Sequence, residues 1–209
     1  LSVKHLLLRY LKENMYVLIF VSLVLVIGII FGSVMVNKLP EQHNTLLAEE
    51  LNFYFEVLDE TPSVDRLNIL KQSFFSNGQF ILIAWLAGLT VIGIPVVIVM
   101  LFTRGVILGF TVGFIFNHTS FRGLFFAITA IVPHNLVIIP AFLLVSVASI
   151  SFSSVIFMKV IKNKSINIAP YFVNYGIMSI FILLGIGLAS IIEAYIIPVI
   201  LKWIVPLMI

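Results

Sequence analysis

Charge is what this chain has least of. Only 10% of its 209 residues are Asp, Glu, Lys or Arg, and 61% are apolar, whereas soluble domains run near a quarter charged. There is no cysteine, which excludes disulfides, thiol nucleophiles and Cys-based zinc or iron–sulfur sites. The net charge of +3 is too small to argue for nucleic acid as a partner. No HExxH pair, GxSxG turn or Walker loop occurs, so the signatures of a zinc protease, a serine hydrolase and an ATPase are all missing. No catalytic constellation emerges, and no cofactor or metal is expected.

Apolar length takes the place of charge. From Phe80 to Ile161, only Arg104, His118, Arg122 and His134 precede Lys159 as groups able to carry charge. A water-soluble fold cannot hide that much apolar surface, and a bilayer removes the need to hide it. We read an all-α, polytopic helical membrane protein of about five spans, a single membrane domain over residues 1–209. The expected spans are 16–36, 80–102, 105–120, 136–158 and 172–200. The first is longer than a signal-peptide core and reads as a retained anchor.

Residues 1–15 form an amphipathic lead-in with Lys4, Arg9 and Lys12 opposed only by Glu13. The loop 159–171 holds Lys159, Lys162 and Lys164 without an acid. Basic flanks favour the cytoplasm, so the amino terminus is expected inside and the carboxyl terminus outside. Arg104 is expected to close the second span by snorkelling to the inner interface. Pro95, preceded by Gly93, predicts a kink within that span. The remaining piece, 121–132, is too short to cross alone. It reads as a re-entrant or interfacial half-helix, or as the extension of a broken, tilted helix.

Seven of the nine acidic residues fall in one outer segment, 37–79: Glu41, Glu49, Glu50, Glu56, Asp59, Glu60 and Asp65. Leu47, Leu51, Tyr54 and Leu58 give it one amphipathic helix, and Val64, Leu67, Leu70 and Phe74 a second, with Thr61 as cap and Pro62 in the first turn. The bland reading is a helical hairpin lying on the membrane. The functional reading is a docking surface for an outer partner, centred on Glu49, Glu50 and Glu56.

Two glycine patterns predict close helix approach: Gly28 with Gly32, and Gly105, Gly109 and Gly113 at four-residue spacing. They serve contacts within one chain or in a homo-oligomer, and spacing does not separate the two. The intramembrane polar residues are His134 and Asn135, after Pro133, and Glu193, before Pro198. A carboxylate within a span costs about 2.5–3.5 kcal/mol on insertion scales, so it normally faces the bundle with a partner. If His134 and Glu193 meet, the plain reading is a buried contact that fixes helices. The sharper one is an ion or proton site in a transporter or channel component.

The stretch QSFFSNGQFILIAWLAGLTVIGIPVVIVMLFTRGVILGFTVGFIFNHTSFRG resembles the stage II sporulation protein M family, and the likeness covers nearly the full length. Asn77, Gly93-Ile94-Pro95, the glycines Gly105 to Gly113, Pro133-His134 and Ile192-Glu193-Ala194-Tyr195 with Pro198 carry it. The broader family often reads Pro-His-Gly-x-x-Glu-x-Pro; here Asn135 stands in place of that glycine and Ile138 in place of that glutamate. The resemblance implies a multi-pass cell-membrane protein needed for forespore engulfment. It implies a scaffold at the septal membrane, without catalytic activity, for the peptidoglycan-remodelling stage II sporulation proteins D and P.

Overall fold

The computed structural model describes residues 10, 12–49, 65–161, 165 and 167–204, and their side chains except at 118–131 and 201–204. Every element in the described part is helical. Helix α1, Met15–Val36, is an uncharged run of 22 residues, about 33 Å long at helical rise and so matched to a hydrocarbon core of about 30 Å. Residues 41–49 are helical beyond it.

Helix α2, Arg66–Gly88, starts where Asp65 caps it, its side chain accepting from Asn68 N at 3.3 Å. The helix therefore begins well before residue 80 and takes up most of the expected second surface helix. Thr61, Pro62 and Val64 lie outside the described residues. Ser73 and Asn77, which fall in the segment expected to lie outside the membrane, are buried in the bundle.

The expected second span across 80–102 is not one helix. The chain reverses at residues 89–92, where Thr90 Oγ1 donates to Ala87 O at 2.8 Å. A side chain on Gly93 would collide with the Ala87 carbonyl, so glycine permits this tight reversal. Pro95 then falls in the first turn of helix α3, Gly93–Val160. Its missing N–H has no partner to lose there, and no mid-span kink arises.

Helix α3 has 68 residues and would run about 100 Å if straight. It folds back instead. Leu108, Gly109 and Phe116 line the same cleft as Val132, Asn135 and Ile139, and Ser153 reaches back to Thr90 O at 2.6 Å. The first limb, Gly93–Asn117, is therefore antiparallel to the second, Val132–Val160. The backbone stays helical through the reversal between them, and that reversal takes up the surplus piece expected at 121–132.

Helix α4, Ala169–Ile191, begins with Pro170 in its first turn. It continues through a π-turn, Ile192–Ile196, into α5, Ile197–Ile204. Pro198 explains the widened turn: its ring clashes with the carbonyl four residues back and it donates no hydrogen bond.

The passes alternate in direction. Asn14 accepts from Ser151 Oγ at 2.7 Å at one end of α1, and Asn37 accepts from Asn117 at 2.9 Å at the other. Four helical stretches are long and apolar enough to cross a membrane: Met15–Val36, Gly93–Asn117, Val132–Val160 and Ala169–Ile200. Helix α2 runs antiparallel among them as a fifth, half-polar pass. The second limb of α3 is central, with 61% of its most apolar stretch buried against 22%, 22% and 33% for the other three. Val97, Leu101, Ala84, Val145, Ile186 and Ala189 meet in the core. Ile19, Leu23, Ile27, Ile177, Leu184 and Leu188 stay exposed, as a lipid-facing surface requires.

A second set of contacts fixes the end nearest Lys159. Tyr175 OH lies 2.9 Å from Ser149 Oγ and donates to Trp85 O at 2.9 Å. Its ring stacks on Phe152 at 4.9 Å. Tyr175→Phe removes the hydroxyl while Ser149 keeps its bond to Ala84 O. We expect a loss of about 0.6–1.7 kcal/mol, the range measured for interhelical hydrogen bonds in membranes, seen as a small fall in thermal midpoint of the detergent-solubilised protein.

Candidate functional site

The glycine strips face each other within one chain. Gly28 and Gly105 sit so close that a Cβ on either would lie 3.1 Å from the other's Cα. A side chain on Gly32 would strike the carbonyl of Val106, and one on Gly109 that of Ile29. Gly113 lies against Ser33. The two patterns thus seat α1 on the first limb of α3, parallel and backbone to backbone.

Beside this seam lies the polar centre. Helix α2 buries Ser73, Asn77, Phe80, Ile81, Ala84 and Gly88, a single stripe at helical spacing whose upper part is polar. Asn77 Nδ2 donates to Ser73 O at 3.0 Å, and its Oδ1 accepts from Arg104 at 2.5 Å. Ser73 Oγ lies 3.1 Å from Ser190 Oγ and donates to the Glu193 carboxylate. Glu193 stands on the π-turn of α4. A hydrogen-bonded chain therefore runs from the first limb of α3, through α2, to α4.

Arg104 does not snorkel to an interface. It is the twelfth residue of α3, about 17 Å along the helix, and its guanidinium lies over the buried Phe142 ring at 4.9 Å. Glu193 acts on it through space. The cation is held inside because Asn77 and the ring face both meet it there, and a membrane-buried charge is tolerated when it pairs inward. At the upper end, Arg66 stands over the Tyr195 ring at 5.7 Å.

The other expected polar pair is arranged differently. His134 Nε2 and Asn135 Nδ2 are 3.1 Å apart, and the partners at Glu193 are Ser73 and, through space, Arg104. Asn135 borders an apolar cleft of about 700 Å³ between α1 and the two limbs of α3, with Ile29, Ser33, Gly113 and Pro140. Glu49 is exposed, while Glu50 and Glu56 lie outside the described residues. Among the described residues, no three His, Asp or Glu are grouped as metal ligands.

A family model described as stage II sporulation protein M matches residues 21–198, most of the chain and every member of the polar chain. The chain belongs to the stage II sporulation protein M family. No curated protein and no solved structure matches it. As a member of that family it is a multi-pass sporulation membrane protein, and its family is not one of known enzymes. Sequence reasoning singled out Glu193 and the glycines from their residue types. It missed Ser73, Ser190 and the inward role of Arg104. The signal that finds Ser73 and Asn77 is the period of α2 itself: continuing the stripe Gly88, Ala84, Phe80 back by a step of three residues reaches Asn77, and by a further step of four reaches Ser73.

Proposed function

We propose that this member of the stage II sporulation protein M family is a non-enzymatic scaffold for forespore engulfment. In this reading it recruits or anchors the peptidoglycan-remodelling stage II sporulation proteins D and P at the septal membrane of the mother cell. The observation that carries the reading is the family match over residues 21–198. Two features support it. The polar groups of the bundle bond to one another across helices, as a rigid platform requires. Below Arg104 the buried core side chains are apolar, with Val97, Leu101, Phe142 and Val145, or neutral, with Ser146, Ser149 and Ser153, which favours a platform over a membrane-crossing ion path near Glu193.

We place the amino terminus in the cytoplasm. Lys12 and Lys159 lie at the same end of the bundle, next to the Asn14–Ser151 contact, and basic residues favour that side. The acidic segment then faces outward, where peptidoglycan enzymes work.

A clean deletion in a sporulating host tests the role by membrane staining. Septa should form while membranes fail to migrate around the forespore; normal engulfment removes the reading. Reversing the charge of Glu49, Glu50 and Glu56 in the full chain should lower recovery of the two enzymes by co-purification at least several-fold. Unchanged recovery excludes that segment as the docking surface.

A further inference from the structure

Helix α2 turns a second face outward. Asn68, Gln72, Phe75, Gln79, Leu82 and Leu86 are all exposed, and they follow one another at steps of four, three, four, three and four residues. That is the 3.5-residue repeat of a helix–helix seam. The buried stripe from Ser73 to Gly88 lies on another side of the same helix. Asn68 is held at the helix start, its Nδ2 donating to Asp65 at 2.7 Å. Gln72 and Gln79 differ: among the described residues, none bonds either amide. Gln79 lies about 20 Å along α2 from Arg66, two residues beyond Asn77, which meets Arg104 inside the bundle. Its amide therefore faces outward near the middle of a hydrocarbon core of about 30 Å, where lipid tails supply neither donor nor acceptor. Leu82 and Leu86 carry the face on toward Gly88 as apolar surface, which argues against water as its cover.

We propose that this face is the seam of a parallel homodimer, in which α2 packs on α2 of a second copy about a two-fold axis along the membrane normal. Depth and chemistry select that occupant. All copies insert in the same direction, so the two-fold brings each seam residue to its own counterpart at the same depth. A carboxamide both donates and accepts, so each glutamine completes a hydrogen-bonded pair with its copy. A different helix would need polar groups at the same two depths. No charged residue stands on the seam from Asn68 to Leu86, so self-pairing sets no like charges opposite one another. Lys71, on the flank, comes beside Ser76 of the second copy in this register. The two glutamines alternate with Phe75 and Leu82, and polar residues confined to one seam position fix register and strand number. The glycine seam between α1 and α3 stays within each copy. This proposal does not depend on the scaffold reading.

The chain has no cysteine, so one introduced thiol reports alone. Full-length F75C, L82C and L86C are purified and reconstituted singly in phosphatidylcholine vesicles at high lipid dilution. Under mild oxidation each should form a disulfide-linked dimer, because seam positions bring the two copies of a residue within disulfide reach. The yield should be at least about fivefold above that of L23C, since Leu23 is similarly exposed but stands on α1. Association is measured independently by Förster transfer between copies labelled through K159C. Adding Q79L should weaken the dimer about tenfold, within the range of interhelical hydrogen bonds in membranes. Q79N, which keeps an amide at that depth, should restore most of the loss. In host membranes a photoreactive side chain at residue 82 should capture a second copy. Cross-linking no stronger at the three seam positions than at L23C, a dimer that Q79L leaves unchanged, or capture of lipid or a different protein in place of a second copy overturns the proposal.

Discussion

Gly109→Val should unseat α1 from the first limb of α3. The new side chain would collide with the Ile29 carbonyl, and even its Cβ would come within 2.7 Å of the carbonyl carbon. Backbone cannot rotate away as a side chain does, so the two helices must separate. Separation also loosens the Gly28–Gly105 contact one turn lower, where the Cα of each glycine is 3.1 Å from the other's added Cβ. Overpacking in a close-fitted core costs about 1–3 kcal/mol, and the variant should lie at the top of that range, about 3 kcal/mol. The fall in thermal midpoint in detergent, followed by size exclusion, measures it. The paired variant N37C/N117C adds a local readout: its disulfide should form readily while the two positions stay as close as the 2.9 Å Asn37–Asn117 hydrogen bond places them in the parent, and should form poorly when Gly109→Val is added. Gly185→Ala is the internal control, since nothing lies within 4 Å of a Cβ there. Alanine is the better helix former by about 0.5–1 kcal/mol, so that variant should match or exceed the parent. A Gly109→Val protein that melts with the parent sinks the backbone-to-backbone seam.

The contrast between these glycines explains what the sequence made legible. A small residue every four positions has one dominant use in a membrane helix, so Gly28, Gly32, Gly105, Gly109 and Gly113 declared a seam before any coordinates. The all-helical class and the approximate number of passes were equally readable, because apolar length has few alternatives. The start of the second pass was hidden for the opposite reason. Hydropathy treats Ser73 and Asn77 as exposed to water, but in the bundle they bond to Glu193 and Arg104. A helix whose polar groups satisfy one another reads as a surface helix until its partners are known. The same blindness put Arg104 at an interface, since a single arginine after an apolar run looks like an end. The reversal at residues 89–92 was concealed because Leu89, Val91 and Ile92 are as apolar as the spans they separate. There Gly93 and Pro95 marked a helix start, where sequence reasoning took them for a kink. Glu193 was visible as an odd residue, but its partners came from helices 120 and 89 positions away, and local pattern holds no information on such contacts.

Removing one charge of the Arg104–Glu193 pair should harm the protein more than removing both. Glu193→Leu leaves the guanidinium with Asn77 and the Phe142 ring but no anion in the bundle interior near it. Arg104→Met leaves the carboxylate with Ser73 alone. Breaking a buried pair from one side typically costs about 3–5 kcal/mol, because the surviving charge is uncompensated, whereas replacing both partners by apolar groups is often close to neutral. The charges here are bridged through Ser73 and Asn77, so some of the effect passes through those side chains. Each single variant is therefore expected at the lower end, about 3 kcal/mol, and Arg104→Met/Glu193→Leu at about 1 kcal/mol, the remainder being the orphaned donors of Asn77 and Ser73. The coupling in this double-mutant cycle, measured by unfolding in mixed micelles, should be about 5 kcal/mol, roughly ten times the few tenths of a kcal/mol seen for independent sites. Purely additive losses would mean that Arg104 and Glu193 do not sense each other, and the hydrogen-bonded chain would then be a set of separate contacts. Strong coupling would instead assign α2 a specific task. It carries the polar groups through which the helix bearing Arg104 and the helix bearing Glu193 hold one another in register.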